Sequence, residues 1–419
     1  MEPRDYFPQL HKISEARMVL GEILSPTLLA PNPYLGRKYN ANILLKREDL
    51  QIVRSYKIRG AYNKIRHLSA EQMKCGVVCA SAGNHAQGVA FSCNKLGIKG
   101  YIYMPETTPK QKIQQVRMFG EDNVEIILTG DNFDAANKSA REFAQKEGKT
   151  FIPPFDDPQI IEGQATIGME ILQECKGVPD YIFVPIGGGG LASGVGACIK
   201  QMSPSTKIIG VEPAGAAGMK CSLKAGKVTT LEKVDNFVDG AAVRRVGDYT
   251  FEICKKVLDD IVVVPEGAVC STILEMYNRN AIVVEPAGAL SVAALDFYAE
   301  KIKGKNVVCV ISGSNNDITR MEEIRERSLL YSGLKHYFII RMAQRSGALL
   351  SFVRDVLGPK DDITYFSYIK KTNREQGPII IGIELSSPGD FEPLIHRMEA
   401  NGIVYEYLNN NSDLFEFLI

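Results

Sequence analysis

The sequence predicts an α/β protein in two parts: a parallel-sheet region from about residue 42 to residue 315, then a smaller βαββαβ unit from residue 336. Three observations predict it. Short apolar runs alternate with segments that carry apolar residues at helical spacing. Glycine-rich or small-residue motifs fall where strands should end. Near Arg320 to Lys335 the rhythm breaks into a charged helical stretch and then Tyr331-Ser332-Gly333-Leu334, which reads as a linker.

Taken in order, the clearest strand candidates are Asn42 to Lys46, Gly76 to Ser81, Gly100 to Met104, Val124 to Leu128, Tyr181 to Ile186, Lys207 to Glu212 and Val307 to Ile311. Between them, Glu162 to Glu174 and Ala287 to Tyr298 repeat apolar residues with helical period. Beyond the linker the order is strand (His336 to Met342), helix (Gly347 to Leu357), strand (Ile363 to Lys370), strand (Pro378 to Glu384), helix (Asp390 to Ala400) and strand (Val404 to Leu408). That order is a ferredoxin-like signature, present in one copy. The expected divisions are 1–330, a linker at 331–335, and 336–419.

Composition narrows the function classes. The 419 residues hold 49 lysines and arginines against 49 aspartates and glutamates, so bulk charge favours neither nucleic acid nor an anionic membrane as partner. Nine cysteines sit singly in apolar runs, and their odd number argues against a disulfide framework; reduced thiols and no metal site are expected. The first residues lack a signal-peptide pattern, and no uncharged run approaches the ~20 apolar residues needed to span a bilayer. The expected location is the cytoplasm.

Open α/β sheets bind ligands at strand carboxyl ends. Ser81-Ala82-Gly83-Asn84-His85-Ala86-Gln87-Gly88 follows one strand, Gly187-Gly188-Gly189-Gly190-Leu191 follows another, and Ser312-Gly313-Ser314-Asn315-Asn316 follows a third. Four consecutive glycines are expensive in chain entropy for one turn, but they let backbone amides crowd around an anion at a helix start. No G-K-[ST] follows, which argues against a nucleoside-triphosphate loop. Taken alone, the tetrad reads equally well as a tight turn. Lys57, in Ser55-Tyr56-Lys57-Ile58-Arg59-Gly60-Ala61, could hold an aldehyde cofactor through its amine or simply face solvent at a helix start. Asn84 and His85 could cap a helix or offer its amides to a carboxylate.

These runs, with Asp239-Gly240-Ala241-Ala242-Val243 and Glu285-Pro286-Ala287-Gly288-Ala289, resemble in order the fold type II, or tryptophan-synthase β-like, pyridoxal-phosphate enzymes over nearly the whole chain. Within that group the chain is most similar to the threonine dehydratases. The resemblance implies two parallel-type α/β subdomains and pyridoxal 5'-phosphate as cofactor. It implies that Lys57 anchors the cofactor and takes the α proton, that Asn84 bonds its ring hydroxyl, that the amides of Gly187, Gly188, Gly189, Gly190 and Leu191 hold its phosphate, and that Ser312 faces its pyridine nitrogen. Ser81, Asn84 and His85 would bind the substrate carboxylate, with Glu285 close to the ring.

The implied reaction is loss of water and then ammonia from L-threonine, giving 2-oxobutanoate, with L-serine as a poorer substrate. Two departures bear on it. Ala82 stands where related serine racemases carry a serine, so racemisation should be poor; Glu212 is present, but Gly218 stands where a metal-binding aspartate would be sought. Tyr56 replaces a phenylalanine. The final unit, with Arg345-Ser346-Gly347-Ala348-Leu349-Leu350, resembles the ACT-like regulatory domain of biosynthetic threonine dehydratases, which implies feedback by isoleucine, relieved by valine, and a homotetramer. Other readings stay open here: an oligomerisation role for that unit, a serine dehydratase, a racemase-like enzyme, a cysteine or threonine synthase, and a catalytically dead amino-acid sensor.

Overall fold

Runs such as Val77-Val78-Cys79-Ala80 and Val307-Val308-Cys309-Val310-Ile311 are apolar without alternation, the pattern of strands covered on both faces. The computed structural model, which describes residues 2–368 and 376–410, buries both runs completely within parallel sheets. Packing divides the chain into two units, residues 1–317 and 318–419.

Among its described residues the first unit holds ten strands: β1 (Leu29–Pro31), β2 (Asn42–Arg47), β3 (Val77–Ala80), β4 (Gly100–Met104), β5 (Val124–Leu128), β6 (Thr150–Phe151), β7 (Tyr181–Pro185), β8 (Lys207–Pro213), β9 (Asp260–Val264) and β10 (Asn306–Ile311). They form a six-stranded sheet ordered β1-β2-β10-β7-β8-β9 and a four-stranded sheet ordered β5-β4-β3-β6. All pairings are parallel except β1 on β2. These are the two parallel subdomains the sequence implied. The sequence reading omitted β1, β6 and β9. It also extended one helix too far: Pro286–Ala293 is α-helical, and Ala294–Phe297 tightens into a 3₁₀ turn.

Three helices converge on the site, and glycine sets their spacing. The helix Lys57–Arg66 crosses the helix Pro158–Glu174 where Gly60 meets Gly163. A Cβ on Gly163 would sit 2.5 Å from the Arg59 carbonyl oxygen, and one on Gly60 2.9 Å from the Ile160 carbonyl oxygen. No side chain fits between these backbones. The third helix, Gly190–Met202, also packs against Pro158–Glu174, where Gly194 meets Ile161 and Ala165.

The same crossing is locked by charge. Arg59, fully buried, donates to Glu48 (2.8 and 2.8 Å), to Glu170 (2.6 and 2.8 Å) and to Thr166 (3.0 Å). Lys46 reaches Glu170 at 2.7 Å and Glu174 at 2.9 Å. A buried ion group of this kind holds geometry because every member is satisfied.

The second unit carries β11 (Lys335–Ala343), β12 (Asp362–Tyr368), β13 (Gln376–Glu384) and β14 (Tyr405–Tyr407) in an antiparallel sheet ordered β12-β13-β11-β14, with helices Ala348–Asp355 and Phe391–Ala400 between strands. This is the βαββαβ order read from the sequence. The end of the expected strand Ile363 to Lys370 and the last nine positions, 411–419, reach outside the described residues. Its core packs Phe338, Ile340, Ile379, Ile381 and Ile383 of the sheet against Phe352, Leu394 and Met398 of the helices.

Candidate active site

The strand carboxyl ends of the two sheets bring the predicted motifs together. Lys57 opens its helix, and Ser312 follows β10; the Ser312 carbonyl accepts the Tyr56 amide at 3.1 Å, and Ser55 bridges Gly313. Those backbone bonds tie the segment before Lys57 to the end of a central strand. Lys57 Nζ donates to the Pro154 carbonyl at 2.8 Å and lies 5.3 Å from the centre of the Tyr56 ring. Among the described residues it forms no ion pair. Burial lowers its ammonium to about 8, against a weaker opposing pull from Glu285. A lysine of this kind yields more free amine near neutral pH than an exposed lysine does.

Pro154 leads to Phe155, and Phe155 leads to the glycine tetrad. A Cβ on Gly188 would lie 2.3 Å from the Phe155 ring, and one on Gly190 2.9 Å from the Phe155 Cβ. Gly189 has φ +95°, a conformation open to glycine, and caps the helix Gly190–Met202. Two carbonyls of the tetrad are taken: the Gly188 oxygen accepts Thr250 Oγ1 at 2.6 Å and the Gly247 amide at 3.2 Å, and the Gly189 oxygen accepts the Ser193 amide at 2.9 Å within the helix. Amides at the helix start are left to bind an anion. Leu191 sends its side chain into the hydrophobic core, so only its backbone serves the cradle.

Asn84 begins the helix Asn84–Leu96 directly after β3. Its Nδ2 donates to both oxygens of Glu285 (2.7 and 3.0 Å), and its Oδ1 accepts Asn315 Nδ2 at 2.6 Å. Glu285 is buried, and burial pushes its carboxyl up to about 7 despite the Asn84 donor. Asn84 is therefore held between Glu285 and Asn315. Ser81 Oγ accepts the Gly83 amide at 3.2 Å. The His85 ring turns away to the Ile152 carbonyl (2.9 Å), and burial lowers it to about 3, so the neutral ring is a structural donor and His85 offers a ligand its backbone amide alone.

The arrangement suits a phosphorylated aldehyde by its own chemistry. It combines an amine freed by burial, a cradle whose walls leave no room for a Cβ, and buried hydroxyl and amide atoms at Ser55, Gln164 and Asn315 without hydrogen-bond partners. Sequence reasoning missed Phe155, Gln164 and Thr250. The run Pro153-Pro154-Phe155 after β6 carried a signal, since it is a loop at a strand carboxyl end.

Residues 22–313 match the family of pyridoxal-phosphate dependent enzymes, and residues 326–418 match the C-terminal regulatory domain of threonine dehydratase. The chain is 56% identical over 411 residues to L-threonine dehydratase biosynthetic IlvA of Halalkalibacterium halodurans, covering 98% of this chain and 99% of that one. The chain belongs to the threonine dehydratases. The Bacillus subtilis protein of the same name is also 56% identical, over 98% of this chain and 97% of its own length. The processed form of threonine deaminase isoform 2 from Solanum lycopersicum superposes with a TM-score of 0.72 at 40% identity, over 77% of this chain and 95% of that one. The cofactor of this family is pyridoxal phosphate.

Near the site, Glu212 is buried, and burial raises it to about 7; it accepts the amides of Met219 (2.7 Å) and Lys220 (2.9 Å) at the start of the helix Gly218–Ala225. It is committed to capping that helix. No group of three or more histidine, cysteine, aspartate or glutamate side chains is arranged to hold a metal among the described residues. No helix among them is long and apolar enough to cross a membrane.

Proposed function

We propose that the chain converts L-threonine to 2-oxobutanoate and ammonia, and L-serine more slowly to pyruvate and ammonia. The observation that carries this is Lys57, an unpaired amine lowered to about 8, joined through Pro154 and Phe155 to a glycine cradle at a helix start. When bound, pyridoxal phosphate supplies an aldehyde for an amine and a ring that spreads the electrons of a broken Cα–H bond.

In this reading Lys57 Nζ would hold that aldehyde and would take the α proton of the substrate. The amides of Gly187 to Leu191 hold the phosphate. Asn84 orients the ring from its hydroxyl side, held in turn by Glu285 and Asn315, and Ser312 faces the ring nitrogen. Ser312 would offer that nitrogen a neutral hydroxyl in place of a carboxylate, a partner that suits elimination of a β-hydroxyl. Ser81 and the amides of Asn84 and His85 grip the substrate carboxylate. Ala82 offers no proton on the opposite face, so returning the α proton there is disfavoured. Loss of the β-hydroxyl with the α proton removes one water, and water then displaces ammonia, so the atoms of threonine balance those of 2-oxobutanoate and ammonia.

The same reading assigns catalysis to residues 1–330 and effector binding to 336–419, joined at 331–335. Isoleucine inhibits and valine relieves, the enzyme is a homotetramer, and it works in the cytoplasm. Keto-acid formation from L-threonine, L-serine and O-acetylserine, with isoleucine titrated into the threonine assay, tests the reading. Preference for threonine with inhibition by isoleucine is the expected result. Preference for O-acetylserine would overturn the substrate assignment, and threonine saturation curves that superimpose with and without isoleucine would overturn the regulatory one.

A further inference from the structure

Gln164 is fully buried near the middle of the helix Pro158–Glu174, flanked along it by Ile160, Ile161, Ala165 and Ile167. Leucine or methionine would suit those surroundings. Yet the position carries a carboxamide, and neither Oε1 nor Nε2 has a hydrogen-bond partner. A buried amide with both ends unsatisfied is destabilising, so its retention requires something that it serves.

Its surroundings indicate what. Oε1 lies 2.6 Å from where a Cβ on Gly190 would stand, beside the first residue of the helix that ends the glycine cradle. Nε2 lies 3.2 Å from where a Cβ on Gly60 would stand, one helical turn after Lys57. The carboxamide is thus wedged between the helix that bears Lys57 and the helix start that faces the anion. With neither atom held, half a turn about its last bond presents Nε2–H to the Gly190 side. Arg59, in the neighbouring turn, does not compete for the role, because it is committed to Glu48 and Glu170.

We infer that Gln164 is a positioning residue for the cofactor phosphate, adding a neutral N–H donor to the backbone amides of Gly187 to Leu191. This rests on the reading that the cradle holds that phosphate. A neutral donor suits a phosphate already facing a helix start, since it adds a hydrogen bond without a second charge to desolvate.

The test uses full-length protein freed of cofactor, as wild type, Gln164→Met and Gln164→Glu. Thermal midpoints of the apo forms are recorded, and affinities are titrated for pyridoxal phosphate and for pyridoxal, which lacks the phosphate. Gln164→Met should melt at or above wild type, because two unsatisfied polar atoms are gone, while binding pyridoxal phosphate about tenfold more weakly. Its affinity for pyridoxal should not change. Gln164→Glu should bind pyridoxal phosphate more weakly still, through repulsion of the anion. Equal affinity for pyridoxal phosphate in all three proteins, or an equal loss for both ligands, would overturn the inference. Should Gln164→Met not fold, Gln164→Asn, which keeps the amide but withdraws it by one methylene, carries the same comparison. Failure of wild type itself to distinguish pyridoxal phosphate from pyridoxal would instead overturn the underlying reading of the cradle.

Discussion

Replacing Arg59 with methionine keeps the bulk of the side chain and removes its charge from a closed group. Glu48 then keeps Thr27 Oγ1 at 2.5 Å and Gln51 Nε2 at 3.4 Å, and Glu170 keeps Lys46 and the Thr27 amide. Two carboxylates remain buried with one ammonium close by. Deleting one partner of a buried ion pair costs about 3–5 kcal/mol, far more than the pair gains over apolar replacements. For a unit of this size that corresponds to a fall on the order of 10 °C in the thermal midpoint. The pH dependence has a definite sign. Burial raises the Glu170 carboxyl, but Arg59 and Lys46 more than reverse it, so its folded value lies below the ordinary one. The stabilisation is present above the unfolded value of about 4.3 and is lost as pH falls through the folded value, so the gap between wild type and Arg59→Met should narrow in acid. Differential scanning fluorimetry of both proteins, with the neutralised triple variant Arg59→Met, Glu48→Gln, Glu170→Gln alongside, measures this. The triple variant should recover most of the loss. A single variant within about 1 kcal/mol of wild type, or a triple variant as unstable as the single, would refute the argument from unpaired buried charge.

Three further outcomes follow from the site. Gly188→Ala places a methyl 2.3 Å from the Phe155 ring, and fluorescence titration should show pyridoxal phosphate affinity falling at least about tenfold. Glu285→Gln removes a carboxyl whose folded value is raised to about 7; that group weakens the fold progressively as pH rises from its unfolded value toward 7, so the variant's midpoint should gain on wild type more at pH 8 than at pH 5. The rate at which apo-protein captures pyridoxal phosphate should rise with pH and level off above about 8, because the unprotonated Lys57 is the reacting form; a rate still climbing toward 10.5 in stopped-flow absorbance would contradict the lowered amine.

Much of the fold was legible because buried parallel strands leave unbroken apolar runs, as in Val307 to Ile311, and because strand-end motifs mark the ligand side of a sheet. The βαββαβ unit was legible from element order alone. What escaped had either little sequence or no local signal. Thr150–Phe151 is two residues long, and Leu29–Pro31 is an antiparallel edge that ends in proline. Asp260–Val264 did carry a β-branched run and could have been read. The motifs that meet at the candidate site were visible in the sequence, while the groups packed around them were not. Arg59 meets Glu48 and Glu170 across 11 and 111 positions, and no spacing rule reaches that far. His85 is expected from its place at a helix start to offer its backbone amide, but the direction of its ring has no local signal, because a rotamer is set by packing, and here the Ile152 carbonyl claims the ring. Gln164 lies in an ordinary-looking helix, and only its burial without partners singles it out.

The central claim is that Lys57 is the amine that holds the cofactor. Holoenzyme reduced with borohydride, digested and examined by mass spectrometry should carry a pyridoxyl group on the peptide containing Lys57, and Lys57→Ala should show neither the adduct nor the visible absorbance. A pyridoxyl group on another lysine, or absorbance that survives in Lys57→Ala and bleaches normally, would contradict it.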